Sequence, residues 1–200
     1  MKKFLLYFLL IVLGAMLIYQ SRIGFFKRYS YSCSTYSGCV NSNQMNSATK
    51  IINGSARIEK ETFDHLTVNG SATLDEVSVQ EAVINGLLRA TKCMIKKLKV
   101  NGSAHLAKSI IAEDTHIAGS LEADESSFDS LTLISTYSRL IDSQVKAIVV
   151  QKTYPTTKVQ QIELVNSIVK GDIRFESGDG EVILKQGARI EGQVIGGRIL

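Results

Sequence analysis

The sequence predicts an all-β fold, a single parallel β-solenoid of about 16 residues per turn behind an apolar N-terminal segment. Three observations predict it. Asn-Gly recurs at Asn53-Gly54, Asn69-Gly70, Asn85-Gly86 and Asn101-Gly102, 16 residues apart each time, and Ala118-Gly119 follows after 17. The phrase around each pair repeats, as Ile-Asn-Gly-Ser-Ala or a close variant. Apolar residues hold fixed offsets from each glycine, which a string of independent hairpins would not require.

The offsets outline one turn. At +2 stand Ala56, Ala72, Leu88, Ala104 and Leu121, and at +4 Ile58, Leu74, Ala90, Leu106 and Ala123. At +9 stand Phe63, Val79, Ile95, Ile111 and Phe128, and at +12 Leu66, Ala82, Leu98 and, after one residue of slippage, Leu131. Val68, Ile84, Val100, Ile117 and Leu133 precede each following glycine or its equivalent. Inward steps of two are strand periodicity, and the steps of three after +4 and +9 mark corners. Each turn therefore reads as two or three short strands, stacked on their copies about 4.8 Å away. Ile95 should be enclosed by Val79 and Ile111. Parallel crossovers favour a right-handed winding. The four Asn-Gly pairs are expected to form tight corners, since both residues tolerate left-handed backbone.

Taken in order, residues 1-22 read as an uncleaved signal anchor or transmembrane segment. Met1-Lys2-Lys3 precedes an apolar run from Phe4 to Tyr19, slightly short of the roughly 20 residues of a full span. Leu13-Gly14-Ala15-Met16 places methionine where a lipidated cysteine would be needed. Lys2 and Lys3 before the run are balanced by Arg22, Lys27 and Arg28 after it, so charge assigns no orientation. Residues 23-50 form a Ser/Tyr/Asn-rich linker containing Cys33 and Cys39, which suggest a disulfide loop in an oxidising compartment. Metal binding competes, but no histidine lies near. Residues 51-200 form the solenoid. Within it Cys93, at offset +7 with Val77, reads as a buried, inert thiol.

After Leu133 the period blurs. Val169-Lys170-Gly171-Asp172-Ile173-Arg174-Phe175 restores the phrase 52 residues after Gly119, or three turns with about four residues to spare. The surplus is expected at Tyr154-Pro155-Thr156-Thr157, around the single proline, which cannot donate to a ladder. Eight or nine turns would make a rod about 40 Å long.

The repeated Val/Ile-x-Gly-x-Ala/Ile-x-Leu/Phe turns and the ending Gly187-Ala188-Arg189-Ile190-Glu191-Gly192-Gln193-Val194-Ile195-Gly196-Gly197-Arg198-Ile199 resemble the bactofilin family. These are bacterial polymer-forming cytoskeletal β-helix proteins. The resemblance covers roughly Ile51 to Leu200 and implies a self-assembling structural role. The apolar N-terminus and the cysteines depart from the short polar tail usual there.

Chemistry is sparse. The net charge of +4 is too weak to argue for nucleic acid, and Lys92, Lys96, Lys97 and Lys99 read as one solvated face. Asn53, Asn69 and Asn101 stand in Asn-x-Ser, but the corner reading also covers Asn85. His65, His105 and His116 occupy different columns and make no metal ladder. Gly178-Asp179-Gly180 lacks a phosphate-loop continuation, and Gly192, Gly196 and Gly197 lack a dinucleotide setting. Asp64, Asp75, Glu76, Glu113, Asp114, Glu122, Asp124 and Glu125 could supply acids to a carbohydrate-cleaving groove, but the long loops that would wall one are missing. No enzyme, cofactor or metal is expected.

The expected role is a membrane-tethered scaffold, single-pass in a bacterial inner membrane, with a periplasmic solenoid (the cytoplasmic face being the alternative). Self-association is expected through Val194, Ile195, Ile199 and Leu200, with no capping helix in view and a plug formed by the last residues as the competing outcome. The alternative function is a periplasmic module recognising an envelope protein or glycan along one face.

Overall fold

A computed structural model describes residues 48–154 and 158–200. The apolar run from Phe4 to Tyr19 and the pair Cys33 and Cys39 lie outside the described residues. Among the described residues there is no helix, and every strand pairing is parallel. The chain is a β-solenoid of about nine turns. Its first turns are β1 (Thr49–Glu59), β2 (Thr62–Asp75), β3 (Ser78–Thr91) and β4 (Met94–Ala107), each stacked on the next. Later turns break into shorter pieces: β5 (Ile110–Ala118), β6 (Leu121–Asp124), β7 (Ser127–Ile134), β8 (Tyr137–Ile141) and β9 (Gln144–Val150). Then come β10 (Gln161–Val165), β11 (Ile168–Val169), β12 (Ile173–Phe175), β13 (Gly180–Lys185), β14 (Arg189–Ile190), β15 (Val194–Ile195) and β16 (Gly197–Ile199).

The apolar columns stand as the spacing predicts. Val79, Ile95 and Ile111 are register partners in sequence, and Ile95 is fully buried. Each such side chain contributes roughly 1.5–3 kcal/mol of burial, available only because the turns above and below supply the walls. The slippage near +12 is a register shift between Ile95 and Leu98, after which Leu98 faces Thr115 and Thr115 faces Leu131. Thr115 thus enters an otherwise aliphatic column, buried, its hydroxyl without a partner.

Two expectations are corrected. Asn-Gly does not turn left-handed as a pair, since only its glycine takes positive φ. Asn53-Gly54, Asn69-Gly70, Asn85-Gly86 and Asn101-Gly102 lie inside continuous strands β1 to β4. Their glycines carry φ between 116° and 143°, while the asparagines keep negative φ. Glycine is required there for a second reason, because a Cβ on Gly70 would lie 2.2 Å from the Gly54 carbonyl oxygen. The left-handed residues stand instead at offset +6. Lys60, Glu76, Lys92, Lys108, Glu125, Asp142, Asn166 and Gln186 have φ between 46° and 56°. That conformation costs a non-glycine residue about 1–2 kcal/mol, offset by the ladder that resumes beyond it.

Gly171 is the second correction, because it does not stand in the glycine column. Ile173 pairs with Ile148, which places it in the Leu66 column, and Gly171, two residues earlier, abuts the Lys146 carbonyl. The surplus is therefore larger than four residues and sits within a single turn. Tyr137 pairs with Gln161 and Val150 with Phe175, across 24 and 25 residues. The connection from β9 to β10 that absorbs the surplus passes through Tyr154, and Pro155, Thr156 and Thr157 of the expected corner lie outside the described residues. A further extended turn follows, with Gln161 facing Glu181 and Ile168 facing Arg189.

Candidate functional site

Inward columns at +2, +4, +7, +9, +12 and +14 leave three outward faces, made by +8 and +10, by +11, +13 and +15, and by +1, +3 and +5. On most of this surface the polar side chains are bonded to copies of their own column. Asn69 donates to Asn53 at 2.8 Å, Asn85 to Asn69 at 2.8 Å and Asn101 to Asn85 at 2.7 Å. The four predicted corner asparagines are thus an exposed amide ladder, which explains Asn85 without a sequon. At +6, Lys92 lies 3.4 Å and Lys60 4.0 Å from Glu76, and Lys108 lies 3.4 Å from Glu125. Lys96 and Lys97 share Glu113, at 3.2 and 3.8 Å. Three of the four lysines of the group, Lys92, Lys96 and Lys97, thus meet carboxylates of neighbouring turns, two of them sharing one.

A second ladder is buried and escaped the sequence reading. Ser109, Ser126, Ser143 and Ser167 follow the left-handed residues directly, and each is at most 3% exposed. The N–H groups of Cys93, Ser109, Ser126 and Ser143 donate to the hydroxyl one turn on, at 3.0–3.2 Å. Each serine hydroxyl in turn donates to the carbonyl two residues before it, at 2.6–2.9 Å. The corner takes these N–H groups out of the backbone ladder, and the hydroxyls satisfy them. The spacing of 17, 17 and 24 residues was the available signal, masked by the abundance of serine elsewhere. Cys93 occupies the same column, 2% exposed, and burial pushes its thiol up.

His65 lies 3.3 Å from Glu81 and His105 3.2 Å from Glu122, each one turn apart. His116 stands in another column, between Lys99 and Thr132. Among the described residues no group of three histidines, cysteines or acids could hold a metal ion. Two surface hollows are open and small. One, ≈ 270 Å³, lies over Ile110, Phe128, Asp129 and Lys146, and another, ≈ 330 Å³, over Arg89, His105, Glu122 and Asp124.

The one outward run of different character is +1 to +5 in the late turns. Glu163 and Glu181 stand at outward register positions, yet their side chains are only 9% and 10% exposed. Glu163 accepts a hydrogen bond from the Tyr137 hydroxyl at 2.9 Å, with Lys185 at 3.2 Å and Arg139 at 3.3 Å. Glu181 accepts from Gln161 at 2.7 Å and from Arg198. Burial pushes the Glu163 carboxyl up, but Tyr137, Lys185 and Arg139 together outweigh it and hold it below the usual range. Gln161 and then Arg198 hold Glu181 low as well. Burial, and then the bond to Glu163, raises Tyr137. The Arg139 Nε is buried without an aligned hydrogen bond, so its guanidinium meets Glu163 only as an ion pair.

At the far end β16 stacks on β13, so residues 197–199 add a rung and do not fold across the core as a plug. Val194 packs partly against the core, while Ile195, Ile199 and Leu200 are 37%, 52% and 59% exposed.

No protein-family model, curated protein or solved structure matches the chain. Among the described residues no helix is long and apolar enough to cross a membrane.

Proposed function

We propose that this chain is a membrane-tethered, non-enzymatic scaffold of a bacterial envelope, a right-handed solenoid that self-associates through its turn ends. The observation that carries the reading is the use of polar side chains. Asparagine, serine and charged columns are bonded to the next turn, which makes a regular, mutually supported stack. The strand edges at the last turn add to it. β14, β15 and β16 pair on one side only among the described residues, with Ile195, Ile199 and Leu200 exposed beside them. The resemblance to bactofilins points the same way. Phe4 to Tyr19 would anchor the chain in the inner membrane, and a Cys33–Cys39 disulfide would accord with a periplasmic solenoid. The cytoplasmic face is the alternative.

Sedimentation of the fragment from residue 48 onward tests assembly. Concentration-dependent association that Ile199→Asp abolishes is the expected result, and a strict monomer at high concentration overturns it. A compartment-sensitive reporter fused after Leu200 tests location. Activity of a cytoplasm-only reporter would remove both the periplasmic placement and the disulfide.

A second reading, a binding module that recognises a partner along one face, is favoured by the buried carboxylates Glu163 and Glu181. They hold a set of long side chains in place, which simple stacking does not require.

A further inference from the structure

We infer that the +1 to +5 face of the late turns docks a short acidic peptide segment of a protein partner, gripped by Arg139, Lys185 and Arg198 beside Tyr137. The inference rests on the binding-module reading and names the chemistry of its partner. Elsewhere on the solenoid, stacked acids and bases share the surface. Lys108 and Glu125 are each 53% exposed, and Lys92 and Glu76 are 57% and 42%. Here the layers separate. Arg139, Lys185 and Arg198 are 41%, 53% and 71% exposed, over carboxylates exposed by only 9% and 10%. The solvent-facing layer is cationic, and the acids beneath it fix side chains that would otherwise lose entropy on binding. Tyr137 commits its hydroxyl to Glu163 while the residue stays 43% exposed, an aromatic contact beside the cations.

Geometry limits the ligand. The cations stand on β8, β13 and β16, within the consecutive strands β8-β10-β13-β16. At about 4.8 Å per strand their backbones span about 14 Å, the reach of roughly four extended residues. Arg139 and Lys185 converge on one oxygen of Glu163, at 3.3 and 3.2 Å, and Arg198 stands over Glu181, so the face offers one paired cationic anchor and one single anchor to the acids of an extended peptide. Guanidinium forks suit carboxylates in two-point contact. The track is also closed at one end, because Glu122 is the column neighbour of Arg139 and is 49% exposed. A long polyanion would run onto that carboxylate, whereas a short acidic segment stops before it.

The test uses the full-length chain in mild detergent and a fluorescein-labelled peptide of alternating glutamate and alanine. Its glutamine counterpart and an oligo-uronate serve as comparisons, and anisotropy is read at low and high salt. The acidic peptide should bind and the glutamine peptide should not, with affinity falling as salt rises. Arg139→Gln with Arg198→Gln should weaken binding about tenfold or more. Lys96→Gln with Lys97→Gln, on another part of the surface, should leave it unchanged, circular dichroism showing both double variants folded. Equal affinity for the two peptides, or an unaffected arginine double variant, overturns the assignment. Binding of the oligo-uronate alone keeps the binding-module reading and removes the peptide. If no probe binds the wild-type chain, the docking surface falls and the scaffold reading is untouched.

Discussion

At the scale of single residues, the buried serine column makes the sharpest statement. The Ser126 hydroxyl accepts from the Ser109 N–H and donates to the Asp124 carbonyl. Ser126→Ala would leave that N–H buried and unpartnered, a loss of about 1–3 kcal/mol. Cys93→Ser should behave differently from most buried cysteine replacements. The thiol already faces the Thr91 carbonyl at 3.3 Å and the Val77 N–H, so a hydroxyl there finds both an acceptor and a donor. The expected change is under about 1 kcal/mol, and chemical denaturation of the two variants checks the contrast. The glycine column offers a second pair. A Cβ on Gly86 would fall 2.1 Å from the Gly70 carbonyl oxygen, whereas one on Gly54 meets nothing within 4 Å. Gly86→Ala should therefore cost several-fold more than Gly54→Ala, which carries only backbone strain of about 1–3 kcal/mol. Equal melting shifts for the two would argue against the close stacking of these glycines.

An element here is a turn, and its stability comes from the turns beside it. The +6 corner shows how weak exposed terms accumulate. Glu76 sits between Lys60 and Lys92, and Lys108 follows in the same column, so Glu76→Lys would set four like charges in a row at strand spacing. Exposed pairs contribute only about 0.2–1 kcal/mol each, and the expected destabilisation is correspondingly modest. Because the charges are solvated, high salt should remove most of the difference. A variant as stable as the wild type at low salt would count against the register. The inward column of the same turn behaves differently. Val79, Ile95 and Ile111 lose their walls together if one of them becomes polar, which is why the apolar periodicity is strict and the +6 charges vary in sign.

For the whole molecule, the late turns depend on a different device from the early ones. The early turns repeat nearly identical residues, so identical side chains meet and form ladders. Where the repeat lapses after Leu133, the turns lengthen and the carboxylates of Glu163 and Glu181 bind side chains from several turns. Both carboxyls are held low in the folded chain. Their stabilisation is therefore complete above the ordinary glutamate range, about pH 4.3, and is lost as pH falls through their depressed values. Glu163→Gln with Glu181→Gln should flatten the decline of melting temperature between about pH 5 and 3, and a decline as steep as that of the wild type would refute a stabilising role for the two carboxylates. The sequence by itself determined the parallel solenoid, its 16-residue period and the inward columns of the first turns, because a repeat that must stack on its own copies writes its geometry into its spacing. Tertiary structure alone decided that Lys60 and its column, not the asparagines, turn left-handed, that the serines carry the buried ladder, and that two successive late turns are lengthened. It also decided that Glu163 and Glu181 are buried on an outward face. Each of these depends on which residue lies one turn away, and where successive turns cease to be copies the spacing no longer names that partner.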